Sequence, residues 1–266
     1  MVSILYHAEK AALEAFERLE DPSIVENCDI FLRARPMLIA DESAHIRDME
    51  EIVRLFGGEG IPPAPAGFDE IWSLEVAQRR LKFPLRAHVA ALFTLVTESL
   101  GYAYLYHLAN VTASTNSKVA DLLAANVRDE ERHIRVSMHV LRRALGPEAS
   151  YRGFDLALHL FAFLLMSRRA ARTMFTSLRA VGFDPYVVGA SSLQFTCLLI
   201  VDVVGARFGV KHRRRIEKLL DALLSPQMIR VFQAGCYLPE PPFVWWVLRR
   251  LSRITGGVPL QPSAAQ

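Results

Sequence analysis

Apolar residues in this chain recur every three or four positions, and no stretch alternates in the two-residue rhythm of a half-buried strand. The pattern predicts helices over 4–20, 23–56, 69–81, 84–110 and 114–145. "EDPS" (20–23) reads as a helix stop followed by a new N-cap, and Pro36 is expected to break or kink the second helix. Gly57-Gly58 ends that helix, "GGEGIPPAPAGFD" (57–69) is a turn-rich connector, and Gly146-Pro147 closes the fifth helical stretch. Further apolar helices are expected at 154–180, 186–206, 211–224 and 226–235. A short amphipathic element in "PEPPFVWWVLRRLSRI" and a tail frayed from about residue 255 follow. The fold class is therefore all-α. Residues 1–146 form one helical unit, and 147–266 a helical extension packing on it, within the same domain or at an interface.

Two segments interrupt the amphipathic rhythm in the same way. "ADESAHIRDMEEI" (40–52) and "VRDEERHIRVSMHVL" (127–141) each carry Asp-Glu-x-x-His-Ile-Arg. Residues three apart share a helix face, so Glu42 points with His45 and Glu130 with His133. The same faces carry Leu38, Ile39, Ile46 and Met49 in the first copy. In the second they carry Leu123, Val127, Ile134 and Ser137. Both ionisable pairs are thus aimed at an apolar interior.

A bundle uses Glu-x-x-His on two helices, and a single Glu on each of two others, to hold a pair of metal ions. The sequence offers both single acids. Glu9 is flanked at helical spacing by Leu5, Ala12, Leu13 and Phe16, whereas Glu14 has Lys10, Glu17, Arg18 and Asp21 around it and lies on the wet side. Glu98 is the one acid in 84–110, on a face with Ala91, Leu95, Gly101, Tyr102 and Leu105. Glu9 precedes Glu42 by 33 residues and Glu98 precedes Glu130 by 32, so the chain repeats one helix-pair plan. Two chance Asp-Glu-x-x-His matches are expected about once in several thousand chains of this composition, which disfavours the alternative of surface acids and satisfied histidines. Energetics disfavours it too. Four carboxylates converging in an apolar interior repel one another and cost several kcal/mol each to desolvate, and two divalent cations cancel that charge.

These residues resemble the ferritin-like di-iron carboxylate superfamily over residues 4–145. With the helical C-terminal extension, they most resemble di-iron oxygenases of the p-aminobenzoate N-oxygenase type. "DEERH" (129–133) is also similar to the acyl-carrier-protein desaturases. The resemblance implies a ferritin-like four-helix bundle holding two Fe ions, with Mn admissible in one site and O2 as co-substrate. It implies Glu42 and Glu130 as bridging ligands, Glu9 and Glu98 as terminal carboxylates, and His45 and His133 as terminal imidazoles. Asp41 and Asp129 resemble the acids that orient the histidine N–H groups, a role with a physical basis. One position departs from the N-oxygenase pattern: Asn126 stands where those enzymes carry an extra histidine ligand, one turn before the second bridging Glu. The two-His, four-Glu set resembles that of desaturases, rubrerythrin-like proteins and aldehyde-deformylating oxygenases.

Composition narrows the classes further. The chain has 266 residues, 52% hydrophobic and 22% charged, with a net charge of +3, so no nucleic-acid partner is expected; "KHRRR" (211–215) reads as a solvated loop or helix end. Three cysteines, Cys28, Cys197 and Cys236, form no C-x-x-C pair, and the N-terminus lacks a signal-peptide core, so a cytoplasmic location is expected. The apolar run 186–206 contains Ser191, Ser192, Gln194 and Asp202 and reads as a buried helix or subunit interface rather than a membrane span. A homodimer is expected. Gly101 leaves room beside the metals or serves helix packing, and Tyr102 is a hydrogen-bonding neighbour of the site or a core tyrosine. Asp202 pairs with an Arg at an interface or lines a pocket. "FVWWVLRRL" (243–251) docks back on the domain in preference to a membrane surface.

The expected activity is an O2-dependent, non-haem di-iron oxidoreductase of monooxygenase type, acting in biosynthesis by N-oxygenation or C–H oxidation. Its substrate is small, apolar or aromatic, and carrier-tethered or free, as Phe93, Phe161, Phe163, Phe175 and Phe195 suggest. With no internal redox cysteines, electrons come from an external donor or from the substrate. The alternatives are a fatty-acyl desaturase-like enzyme, a rubrerythrin- or ferritin-like protein handling iron or peroxide, and a scaffold with a vestigial site.

Overall fold

The computed structural model describes residues 2–64 and 87–144, with single positions between 172 and 234. It is all-helical, with no strand among the described residues. Among the described residues four α-helices are complete: α1 (Val2–Glu17), extended by a 3-10 turn (Arg18–Glu20), α2 (Asp29–Leu55), α3 (Ala87–Thr112) and α4 (Ser117–Ala144). The expected helix 69–81 lies outside the described residues, as does most of the extension 147–266. Apart from Ser225, a bend between two predicted helices, the positions described there, such as Thr176, Val201, Lys218 and Arg230, are helical, each inside a predicted helix.

Helix α1 packs on α2, α3 on α4, and α2 on α4. Contacts between partners run in opposite directions along the chain, so each of these pairs is antiparallel. Glu9 meets His45 where Arg35 meets the carbonyls of Phe16 and Glu17. Likewise, Glu98 meets His133 where Gly101 meets Glu130. Between α2 and α4, His45 faces Asp129 and Asp41 faces His133.

Two helix starts and one expected break differ most from the periodicity. Helix α2 begins at Asp29 rather than 23, because Asp21 instead accepts hydrogen bonds from the Ser23 backbone N–H (2.9 Å) and hydroxyl (2.6 Å). That Asx turn sends Ile24 and Val25 into the core. Helix α4 begins at Ser117 because Asn116 caps it, its side-chain oxygen accepting from Val119 N–H at 3.2 Å. Pro36 neither breaks nor divides α2, which runs unbroken from Asp29 to Leu55. The predicted stop at Gly57-Gly58 is present: Gly57 has φ +76°, and the N–H groups of Gly57 and Gly58 donate to Arg54 and Val53 carbonyls at 2.9 Å. This is the paired-bond ending that favours glycine.

Pro36 is exposed, so its ring contributes no core contact, yet it deprives the Leu32 carbonyl of its helical donor. Pro36→Ala is therefore expected to stabilise the protein by about 1–3 kcal/mol, read as a higher thermal midpoint. A lower midpoint would show that the helix needs the distortion.

The apolar interior is divided. One cluster gathers Phe16, Phe31, Leu38, Ala91, Leu95, Ile134 and Leu141. A second gathers Leu5, Met49, Ile52, Tyr104, Leu105 and Leu123. Between them lie fully or nearly fully buried ionisable side chains. Helix α3 is long and apolar enough to cross a membrane, but 67% of its apolar window is buried inside the fold, as in a core helix.

Candidate metal centre

Glu9, Glu42, His45, Glu98, Glu130 and His133 are each 4% exposed or less. They come from four helices: Glu9 from α1, Glu42 and His45 from α2, Glu98 from α3, and Glu130 and His133 from α4. Glu14 is exposed, in keeping with the helical-face reading of α1. The six fall into two groups, Glu9–His45–Glu130 and Glu42–Glu98–His133, and within each group one donor atom per residue lies within 4.8 Å of the others. Each group contains the single Glu and the His of one half of the repeat, and the Glu-x-x-His glutamate of the other half.

Both imidazoles turn the same edge inward. His45 Nδ1 lies 3.3 Å from Glu9 Oε2, and His133 Nδ1 lies 3.1 Å from Glu98 Oε2. Their outer nitrogens reach across the α2–α4 contact. His45 Nε2 is 3.4 Å from Asp129 Oδ2, and His133 Nε2 is 3.2 Å from Asp41 Oδ2. Each aspartate thus serves the histidine of the opposite copy. An Nε2–H donated to carboxylate leaves Nδ1 as the free lone pair, the tautomer a metal ligand requires. Phe16 meets the His133 ring edge-to-face at 5.6 Å.

Glu42 is the most informative of the six. Its Oε1 lies 3.2 Å from His133 Nδ1 and its Oε2 lies 3.8 Å from His45 Nδ1, so the carboxylate spans the two groups. Both oxygens are buried, yet neither has a well-directed hydrogen bond, and Glu130 Oε2 shares that condition. Buried carboxylate oxygens without donors are expensive, and a cation between them would satisfy both.

The electrostatics agree. Burial, then the charge of Glu9, pushes the Glu42 carboxyl well above the usual carboxylate range. Burial, then Glu98, does the same to Glu130. Burial opposes charge on His45, but the hydrogen bond and charge of Glu9 outweigh it and raise the imidazole to about 9. Without metal, protons hold this cluster together; a cation would compete for the same oxygens and nitrogens.

No family model, curated protein or solved structure matches the chain. The residues themselves are therefore the test of fit. Two buried Glu/His groups, each with three donors, can hold metal ions. Oxygen and nitrogen donors suit a first-row divalent ion, and four carboxylates balance two such charges.

Gly101 lies against this cluster. A Cβ there would stand 3.0 Å from Glu130 Oε1 and 3.4 Å from its Cδ. Gly101→Ala is expected to fold, because the atom met is the end of a flexible side chain, but to push the Glu130 carboxylate aside. Isothermal titration with Mn(II) should show about tenfold weaker binding; unchanged affinity would mean the carboxylate has slack. Tyr102 stacks on Tyr106 with ring centroids 6.3 Å apart, and burial, then the charge of Glu131, pushes its hydroxyl above the usual range.

Two features escaped the helical-face analysis. Arg132 pairs with both aspartates: Nη2 donates to Asp41 Oδ1 at 2.9 Å, and Nη1 forms an ion pair with Asp129 Oδ1 at 2.7 Å. The signal was the difference between the copies, "DEERH" against "DESAH". Asn126 is 1% exposed. With its amide nitrogen facing the available acceptors, it donates to Asp48 Oδ2 at 2.8 Å and the Leu122 carbonyl at 3.3 Å. Asp202 pairs with Arg142, so the arginine partner that one sequence reading expected is present, with both side chains about half exposed. Phe93 is buried in the first apolar cluster, while Phe161, Phe163, Phe175, Phe195, Cys197 and Cys236 lie outside the described residues.

Proposed function

We propose that this chain is a non-haem di-iron oxidoreductase built on a ferritin-like four-helix bundle, using O2 to oxidise a small apolar or aromatic organic substrate. The observation that carries the reading is Glu42: a wholly buried carboxylate with one oxygen toward each histidine Nδ1 and no well-directed hydrogen bond at either. On this reading Glu9 and His45 would hold one ion, Glu98 and His133 would hold the other, and Glu42 and Glu130 would serve both. Iron bound there supplies the redox chemistry that activates O2.

The remaining work is done by the protein. The two histidines present Nδ1 and are held in that tautomer by Asp129 and Asp41. The apolar clusters on either side keep bulk water from the centre, which strengthens every charge interaction inside it. Burial and the charge of Glu98 push the Glu130 carboxyl well above the usual range, so a proton can rest on Glu130 and would leave when a cation takes its place. Electrons come from an external donor or from the substrate, and the protein acts in the cytoplasm, as a homodimer. With the extra histidine replaced by Asn126, C–H oxidation and desaturation stand beside N-oxygenation as outcomes.

A rubrerythrin- or ferritin-like role in iron or peroxide handling uses the same ligands. The two separate on reaction with O2. Protein loaded anaerobically with two equivalents of Fe(II) and mixed with O2 should develop a transient visible band within seconds and stop at two irons per chain. Slow, continuing uptake of many irons per chain, with no transient, would favour storage.

A further inference from the structure

Each histidine of the centre is held by the aspartate of the opposite helix, and both aspartates are held by one side chain. The Arg132 guanidinium places one nitrogen 2.9 Å from Asp41 Oδ1 and another 2.7 Å from Asp129 Oδ1. The second oxygen of each aspartate faces an imidazole, Asp41 Oδ2 to His133 Nε2 at 3.2 Å and Asp129 Oδ2 to His45 Nε2 at 3.4 Å. The path His133–Asp41–Arg132–Asp129–His45 is therefore continuous and joins the two candidate metal groups from outside.

We infer that Arg132 is a single positioning residue that sets the orientation of both histidines at once. The inference rests on the two-metal reading of the centre and goes beyond it. Two half-buried carboxylates side by side repel, and each gains by turning toward water. One planar fork neutralises both and fixes their rotation, which an ammonium, a point charge on a flexible stem, does not. The helix-pair repeat makes the arrangement unequal. The position in the first copy matching Arg132 is Ala44, so α2 offers no second arginine there and both halves depend on the one from α4. Arg132 is 44% exposed and belongs to neither apolar cluster, so its contribution is to orientation rather than core packing.

The test is anaerobic calorimetric titration of the full chain with Co(II), alongside the thermal midpoint of metal-free protein. Glu131→Ala serves as a control at a neighbouring residue that pairs with Arg135 at the surface. Arg132→Ala is expected to weaken both ions by about 10–100-fold each while the metal-free midpoint stays near that of the control. Arg132→Lys, which keeps the charge and covers the case in which the alanine variant does not fold, is also expected to weaken binding. Moving the arginine to the matching place, as Ala44→Arg with Arg132→Ala, should recover most of the lost affinity. Wild-type affinity at both ions in the alanine or lysine variant would overturn the inference. So would loss confined to one ion, or loss that tracks a fall in the metal-free midpoint and is not recovered by Ala44→Arg. If wild-type protein itself takes up no Co(II), the two-metal reading fails, and this inference with it.

Discussion

Glu42→Leu is expected to unfold at a higher temperature than wild type when both are metal-free, and to lose the stabilisation that metal confers. Glu42 is wholly buried and its oxygens lack well-directed donors. Its carboxyl must either keep a proton in an apolar setting or carry a charge beside those of Glu9 and Glu98. An apolar residue of similar reach removes that cost, and such replacements of buried ionic groups commonly stabilise by about 1–4 kcal/mol. In wild type, an ion that binds only the folded state raises the midpoint as its concentration rises, by about 2.7 kcal/mol at a hundred times its dissociation constant. Thermal melts of both proteins with and without Fe(II) give the comparison. A metal-free variant less stable than wild type would mean that Glu42 has protein partners that make it structural.

Glu9→Ala and Glu14→Ala should part company completely. Glu9 is 4% exposed and lies 3.3 Å from His45 Nδ1, while Glu14, five residues on, faces solvent. Losing Glu9 removes a carboxylate that belongs to one group alone, so bound iron is expected to fall from two ions toward one. Losing Glu14 should leave both in place and change stability by no more than about 0.5 kcal/mol, as for an ordinary surface substitution. Iron analysis of the two variants after anaerobic loading decides it. Equal iron content would show that α1 does not contribute a ligand.

The helical class and the six converging side chains were legible because both rest on one periodicity. A 3.6-residue repeat tells which residues share a face, and Glu9, Glu98 and the two Glu-x-x-His steps stand out on apolar faces. What the repeat does not encode is the register between helices. That Asp41 serves His133 and Asp129 serves His45 follows from how α2 slides against α4. The Arg132 clasp and the Asn126–Asp48 contact depend on the same register. Local chemistry misled in a different way. Ser23 has the character of an N-cap, but its hydroxyl and N–H both turn to Asp21, and α2 waits until Asp29. Pro36 carries a breaker's penalty, yet α2 continues through it, with the buried Phe31 and Leu38 on either side held in the core. Tertiary packing outweighs one lost hydrogen bond.

Anomalous X-ray scattering at the iron edge, on crystals of anaerobically Fe(II)-loaded protein, bears most directly on the whole account. Two peaks are expected, one among Glu9, His45 and Glu130 and the other among Glu42, Glu98 and His133, with Glu42 reaching both. No anomalous peak within the helices, or iron bound only at surface acids, would contradict it.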